Sequence, residues 1–497
     1  MTDLMTLPRL LYTAQQVRTL DRIAIEEYGL AGATLMARAG AKVFAVMQQC
    51  WPQMRSIVVC CGGGNNGGDG FVVARLARQA GLQVQVILLV EATQLRGDAL
   101  QAYQQMCAQR VKIVSLEALQ LGQADVIVDA LLGTGLERVV EGPWRRLIEA
   151  INTTPCPVIA VDIPSGLQAD SGMPLGCAIE ADVTVTFIGI KQGLVTGRAA
   201  DFCGVLIFDD LGLAAGVYAQ VPAAATRIGY QQLAPVLLPR RRRSAHKGDF
   251  GHVLIIGGDH GMSGAVRMAA EAASRVGAGL VSVATREAHA VALSMACPEV
   301  MAHAVEHPSA LRRLLQRATH VAIGPGLGRQ HWGQQMLREA LDCGLPLVVD
   351  ADALNALADE PQRRDHWILT PHPGEAGRLL QMTTAEVGHD RYAAVRALQR
   401  GYGGVAVLKG AGTLLCDGAS ISVCCDGNPG MASGGMGDVL TGVIAGLWAQ
   451  GLAANEAAML GVSLHAASAD RAARDGERGL LARDVIAALR VLVNPVG

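Results

Sequence analysis

The segment Asn428-Pro429-Gly430-Met431-Ala432-Ser433-Gly434-Gly435-Met436-Gly437-Asp438 presents successive backbone amides directly before the helical run Val439-Leu440-Thr441-Gly442-Val443-Ile444. Amides at a helix N-terminus hold an oxyanion or a transferring phosphoryl group without a Walker lysine, which this chain lacks. Asp438 closes the loop, where a carboxylate can take a proton from an attacking hydroxyl. N-capping is its plainer role, and the long glycine-rich approach favours chemistry.

Other strand ends in this half carry supporting groups. Lys409-Gly410-Ala411-Gly412-Thr413 follows the apolar Val405 to Leu408 and suits contact with a nucleotide. The segment Gly324-Pro325-Gly326-Leu327-Gly328 is a close-approach loop and not a dinucleotide fingerprint, because Pro325 stiffens it. His372, between Pro371 and Pro373, is held in an ordered loop, which favours binding. Asp350 and Asp352 read equally well as helix caps or as metal ligands.

In the other half, Ile57 to Cys60 runs into Cys61-Gly62-Gly63-Gly64-Asn65-Asn66-Gly67-Gly68-Asp69-Gly70 and then the helical Phe71 to Leu76. A strand, a glycine turn and a helix N-terminus form an anion site, since bare amides and the helix dipole face one point. The spacing, and the intrusion of Asn65 and Asn66, depart from a hydride-transfer fingerprint. Proton transfer or ring chemistry is expected instead. Asp129 opens Asp129-Ala130-Leu131-Leu132-Gly133-Thr134-Gly135-Leu136, and Asp162 opens Asp162-Ile163-Pro164-Ser165-Gly166-Leu167. Three such strand endings can converge on one crevice. Oxygens of Asn66, Asp129 and Ser165 would suit a hard cation. Lys191 is a weaker candidate, read first as a surface lysine.

Short β-branched runs alternate with helix-like segments from about Val17 to Leu213 and again from Val253 onward, which indicates two α/β domains with parallel sheets covered on both faces. The boundary is expected near 222/223, giving domains 1–222 and 223–497; Leu213 to Arg243 carries little pattern beyond Ile228 to Leu238. The glycine motifs differ between the halves, which argues against an internal duplication. Hydrophobic residues reach 51% and aromatics only 4%, so the cores must be built from Ala, Val, Leu and Gly.

A net charge of −2 gives no reason to expect nucleic acid, and Arg240 to Arg243 reads as a solvated linker. The 12 Cys form no Cys-x-x-Cys pairs and read as reduced, buried residues of a cytoplasmic protein. No apolar run approaches the roughly 18 residues that span a bilayer, so no membrane is expected.

Taken as a set, Gly64-Asn65-Asn66-Gly67-Gly68-Asp69-Gly70, Leu132 to Leu136 and Val161 to Leu167 resemble the NAD(P)H-hydrate epimerase family over most of residues 10–215. The resemblance implies a Rossmann-like three-layer domain that epimerises the C6 hydroxyl of hydrated NADH and NADPH. Asn65, Asn66, Gly67, Gly68 and Asp69, with Gly133, Thr134, Gly135, Leu136, Glu137, Arg138 and Val139, would hold the dinucleotide. Asn66, Asp129 and Ser165 would bind potassium, and Asp162 would act at the reacting ring.

Gly434-Gly435-Met436-Gly437-Asp438 is similar to the Gly-x-Gly-Asp signature of ribokinase-like kinases. With His246 to Gly251, Gly324 to Gly328, the His372 segment and Lys409 to Thr413, residues 228–495 resemble the NAD(P)H-hydrate dehydratase family. This implies a ribokinase-like α/β domain that dehydrates the S hydrate while ADP, with Mg2+, becomes AMP and phosphate. Lys409, Gly410, Ala411, Gly412, Thr413 and Gly437 would contact the nucleotide; Ala265, Gly326, His372 and Asp438 would contact the hydrate. Asp162 and Asp438 are the expected catalytic residues, the hydrates of NADH and NADPH and ADP the expected small-molecule partners, and a homo-oligomer the expected assembly. The alternative is a small-molecule kinase of the ribokinase-like class fused to a dinucleotide-binding scaffold module.

Overall fold

The computed structural model describes residues 7–118 and 121–495. They fall into two compact units, Met1–Thr226 and Arg227–Gly497. The division lies four residues beyond 222/223 because Ala224 N donates to Leu11 O and Ala225 and Thr226 pair with the first strand.

The first unit contains β1 (Leu10–Tyr12), α1 (Ala14–Glu26), α2 (Gly32–Cys50), β2 (Ser56–Cys61), α3 (Asn65–Gln79), β3 (Gln83–Leu88), α4 (Gly97–Ala108), β4 (Lys112–Val114), β5 (Val126–Ala130), α5 (Gly142–Asn152), β6 (Val158–Val161), β7 (Val183–Phe187), β8 (Ile190–Lys191), β9 (Val205–Asp209) and α6 (Ala215–Tyr218), and ends within β10 (Ala225–Ile228). Seven strands form a parallel sheet in the order β4-β3-β2-β5-β6-β7-β9. Their continuous apolar runs are buried on both faces, by a core including Leu20, Val43 and Phe71 on one side and Leu147, Ile148 and Ile151 on the other. The order reverses between β2 and β5, and ligands of open parallel sheets bind at the carboxyl ends of strands flanking such a reversal. The Gly62 to Asn66 turn and the Leu131 to Arg138 loop leave from those two ends.

The second unit contains α7 (Tyr230–Leu237), β11 (His252–Ile256), α8 (Ser263–Arg275), β12 (Leu280–Thr285), α9 (Glu287–Ala296), β13 (Met301–Ala304), α10 (Pro308–Leu315), β14 (His320–Ile323), α11 (His331–Asp342), β15 (Leu347–Val349), α12 (Ala351–Asp359), β16 (Trp367–Leu369), α13 (Pro373–Leu380), α14 (Thr384–His389), α15 (Arg391–Tyr402), β17 (Val405–Leu408), β18 (Thr413–Cys416), β19 (Ile421–Cys424), α16 (Met436–Trp448), α17 (Ala454–Ala472) and α18 (Ala482–Leu492). Its strands run in the order β13-β12-β11-β14-β15-β16-β17-β18-β19. The pairs from β13 to β17 are parallel, whereas β17, β18 and β19 pair antiparallel. Lys409 to Gly412 therefore turns an antiparallel hairpin, which strand alternation alone did not suggest.

Small residues do the packing that the shortage of aromatic rings requires. A Cβ on Gly442 of α16 would stand 2.0 Å from the Ala269 carbonyl oxygen of α8, so the two helix backbones nearly touch. That contact carries α16, with Asp438 in its first turn, across the sheet core.

Two expectations need correction. Arg241 is exposed but anchored: its guanidinium lies 3.6 Å from the Phe250 ring centroid and donates to Gly277 O and Gln450 Oε1 at 2.6 Å each. Among the 12 free cysteines, Cys50 and Cys107 are exposed, because both lie near the solvent-facing ends of their helices.

Candidate functional site

In the first unit a cavity of about 750 Å³ opens at the sheet reversal. Asn65, Asn66 and Asp69 line it from the start of α3, Gly133, Thr134, Gly135, Leu136, Glu137 and Arg138 from the loop after β5, and Asp162 from the end of β6. Gly67 and Gly68 are buried in α3 and permit close approach: an added Cβ would stand 2.0 Å from Gly62 O and 2.5 Å from Met36 Cε, respectively. Val139 is 56% exposed and lies outside the lining.

Asp162 sits at φ +67°, a left-handed conformation that costs a non-glycine residue on the order of 1 kcal/mol. Its backbone is tied at both sides, Asp162 N to Val185 O at 2.7 Å and Ile163 N to Val161 O at 2.8 Å. Its Oδ1 accepts from Phe187 N at 3.1 Å, from Thr186 Oγ1 at 3.3 Å and from Lys191 Nζ. Lys191 is fully buried, not a surface lysine, because β8 pairs with β1 and draws it inward. Its ammonium also donates to Thr186 Oγ1 at 3.1 Å and Phe187 O at 3.2 Å, so its three donors are all engaged.

Asp69, Asp21 and Asp98 also line this cavity. Asp69 is pushed well above the ordinary carboxylate range by burial and then by Asp162 and Asp21. Asp21, on α1, is raised to about 6 by burial and by Asp162, with Lys191 opposing. Sequence reasoning missed Asp21, since a lone Asp on an amphipathic helix looks like part of a solvated face.

Beside the cavity, Asp129 is fully buried and raised to about 6 by burial, against hydrogen bonds from Ser165 and Leu131. Its Oδ1 accepts from Ser165 Oγ at 2.5 Å and its Oδ2 from Ser165 N at 2.7 Å. It therefore braces the strand-end loops and does not cap a helix. Among the described residues the Asn66 side-chain Oδ1 and Nδ2 are buried with no hydrogen-bond partner.

The second unit gathers its charges at the ends of β15, β16 and β17. Asp350 occupies the N-cap position of α12 without capping it. Instead its Oδ1 accepts from Lys409 Nζ at 2.7 Å and its Oδ2 from Thr441 Oγ1 at 2.8 Å. Glu375 lies 3.8 Å from the same Lys409. Burial disfavours the Lys409 ammonium, but Asp350, Glu375 and Asp438 outweigh it and raise its pKa. Asp352 does a structural task, accepting from Gly328 N at 2.9 Å.

Asp438 lies in the first turn of α16, whose N-cap is Gly435 at φ +90°, a conformation that favours glycine. The first amides of the helix have no intrahelical acceptor. Gly437 adjoins that cluster: an added Cβ would lie 3.4 Å from Lys409 Nζ and 3.5 Å from Asp350 Oδ2. Burial, then Asp350, with Lys409 opposing, raises Asp438 to about 6.

His372 caps α13, its Nδ1 accepting from Gly374 N at 2.9 Å, which leaves the proton on Nε2. Burial and Lys409 lower its pKa, favouring the neutral ring. Gly326 and Ala265 are neighbours at the reversal between β11 and β14, where a Cβ on Gly326 would stand 3.2 Å from Ala265 Cβ. The turn Gly410-Ala411-Gly412 and Thr413 is braced by Arg391, whose guanidinium reaches Leu408 O at 3.3 Å and Gly412 O at 3.2 Å. Arg391 and the role of Asp350 lay beyond sequence reasoning, because α15 carries no motif and Asp350 looks like a cap.

Comparison with known proteins gives a consistent result. Residues 253–490 match the NAD(P)H-hydrate dehydratase family model and residues 32–193 the model described as YjeF-related protein N-terminus. A bifunctional NAD(P)H-hydrate repair enzyme of Coxiella burnetii is 51% identical, covering 98% of this chain and 99% of that protein. Its counterpart in Escherichia coli is 45% identical, covering 99% and 95%. Among solved structures, a ribokinase-like superfamily protein from Enterococcus faecalis matches 54% of this chain and 94% of its own, at 30% identity and a TM-score of 0.51. The α/β architecture expected from sequence is thus the one observed. No described helix is long and apolar enough to cross a membrane.

Proposed function

The chain belongs to the bifunctional NAD(P)H-hydrate repair enzymes, and from that premise we propose that the first unit interconverts the R and S hydrates while the second dehydrates the S hydrate with conversion of ADP to AMP and phosphate. The observation that carries this reading is a carboxylate, Asp438, standing at the amide end of α16 beside Lys409. Asp438 takes the proton of the C6 hydroxyl as its oxygen attacks the terminal phosphorus of the nucleotide. AMP leaves, the C6–O bond then breaks with phosphate as leaving group, and loss of a C5 proton restores the dihydronicotinamide. Hydroxide leaves poorly and phosphate well, which is why a phosphoryl site suits a dehydration. Lys409, Gly410, Ala411, Gly412, Thr413 and Gly437 contact the nucleotide, whose phosphates carry Mg2+; Ala265, Gly326 and His372 face the hydrate.

In the first unit the C6 hydroxyl leaves and returns on the other face, with Asp162 as the carboxylate at the ring and the cavity loops holding the dinucleotide. Potassium fits Asn66, Asp129 and Ser165: among the described residues Asn66 Oδ1 is a buried acceptor without a donor, and Asp129 is a buried anion without a cation. The 12 free cysteines favour a cytoplasmic setting. Assembly into a homo-oligomer is supported by exposed Val291 and Met295 on α9, and sedimentation tests it.

The deciding assay supplies mixed NADH hydrate epimers with ADP and follows the absorbance of reduced nicotinamide. Complete conversion is expected. Recovery stopping at the S fraction would overturn the epimerase assignment, and no recovery would overturn the dehydratase assignment.

A further inference from the structure

Epimerisation at C6 exchanges the hydroxyl between two faces of the ring, so it needs a proton carrier for the departing oxygen and another for the arriving water. A single carboxylate serves one face. Asp162 is pinned through Oδ1 by Lys191, Thr186 and Phe187 N, which suits a fixed anion that receives a proton. Lys191 has no donor left to offer the substrate.

The cavity holds another carboxylate suited to the acid role. Asp21 comes from α1, an element different from the one bearing Asp162, and both line the same space. Among the described residues, no hydrogen bond or ion pair reaches its carboxyl group, so both oxygens are free for a ligand. We propose that Asp21 is the general acid of the epimerase site, protonating the departing C6 hydroxyl while Asp162 takes the proton of the water that returns. This rests on the epimerase reading of the first unit. In the step, the Asp21 proton moves to the hydroxyl oxygen and the C6–O pair leaves with water as the ring nitrogen lone pair forms C=N. Water then adds to the opposite face, the C=N pair returns to nitrogen, and the released proton goes to Asp162. The reverse reaction exchanges the two roles.

The surroundings keep Asp21 usable as an acid. Burial and then Asp162 hold its proton on, with Lys191 opposing; Asp69 lines the same cavity. Arg18 and Asp98 also line the cavity. Tyr12 of β1 and Tyr218 of α6, packed near α1, are both raised by burial and stay neutral in the working range.

The test uses the full-length chain and purified R hydrate, with epimerisation read by chromatography above the uncatalysed rate. For the parent protein, the rate should fall as pH rises through about 6, as the acid form of Asp21 is lost. Asp21→Asn should lower the rate by at least about a hundredfold and abolish that limb. Its dehydration of purified S hydrate should be unchanged, which reports an intact, correctly measured chain. Asp21→Ala should regain epimerisation when formate is added, a rescue that a merely structural role would not give. Retention of the limb in Asp21→Asn, or no rescue of a folded Asp21→Ala, overturns the assignment. A parent protein that does not epimerise overturns the underlying reading instead.

Discussion

Each unit sets a lysine beside a carboxylate at the carboxyl end of a parallel sheet, and the two pairs are wired differently. In the first, Lys191 spends its donors on Asp162 itself and on the shelf formed by Thr186 and Phe187. The carboxylate proposed to act at the ring is thereby fixed in place. In the second, Lys409 is bound to Asp350, which Thr441 also holds, and among the described residues no hydrogen bond reaches the Asp438 carboxyl group. A second carboxylate absorbs the lysine there, and the one proposed as base stays free. The difference fits the two chemistries: a ring substrate must be met by a carboxylate of fixed direction, whereas phosphoryl transfer needs positive charge fixed near the phosphates and a base free to meet the hydroxyl.

The sharpest way to break this comparison is Asp438→Asn, which removes the proposed base. Dehydration of S hydrate should fall by about a thousandfold or more, with epimerisation unchanged. A loss under tenfold would show that Asp438 is not the base. In the parent protein, dehydration should rise with pH through about 6 and then level, because the base acts only when ionised.

Asp162→Asn should cost epimerisation about a hundredfold and leave dehydration of purified S hydrate intact. Equal losses in both activities would mean that the two sites are not independent.

Lys409→Met leaves the Asp350 carboxylate, 2% exposed, without its cation. The second unit should lose on the order of 3 kcal/mol in urea unfolding, the cost of an uncompensated buried charge. A loss within experimental error would show that Lys409 serves only the nucleotide.

The smallest effect concerns the cation. Replacing potassium by tetramethylammonium should lower the first unit's stability by about 1 kcal/mol, as expected for removing a ligand held near saturation. Asp129→Asn should abolish that dependence. An unchanged melting profile in the parent protein would remove potassium from the site.

Much of this was legible because backbone motifs are local. A strand, a glycine turn and a helix start are encoded within about ten consecutive residues, so Asn65 to Asp69 and Gly434 to Asp438 announced themselves. Asp129 and Asp162 were visible as polar ends of apolar strands. Lys191 was misread because its burial depends on β8 pairing with β1, whose residues lie far away in sequence. Asp350 looked like a cap because a cap and an ion-pair partner share one pattern at a strand end.

The sequence by itself determined the two α/β units, their glycine turns and the carboxylates that close them, since periodicity and turn chemistry act over short range. Only the tertiary structure decided which carboxylates share a site and which lysine restrains which acid. Burial and charge coupling are set by residues brought together from α1, α3, β6 and β8 in one unit and from β15, β17, α13 and α16 in the other. Such coupling has no spacing in the chain to read.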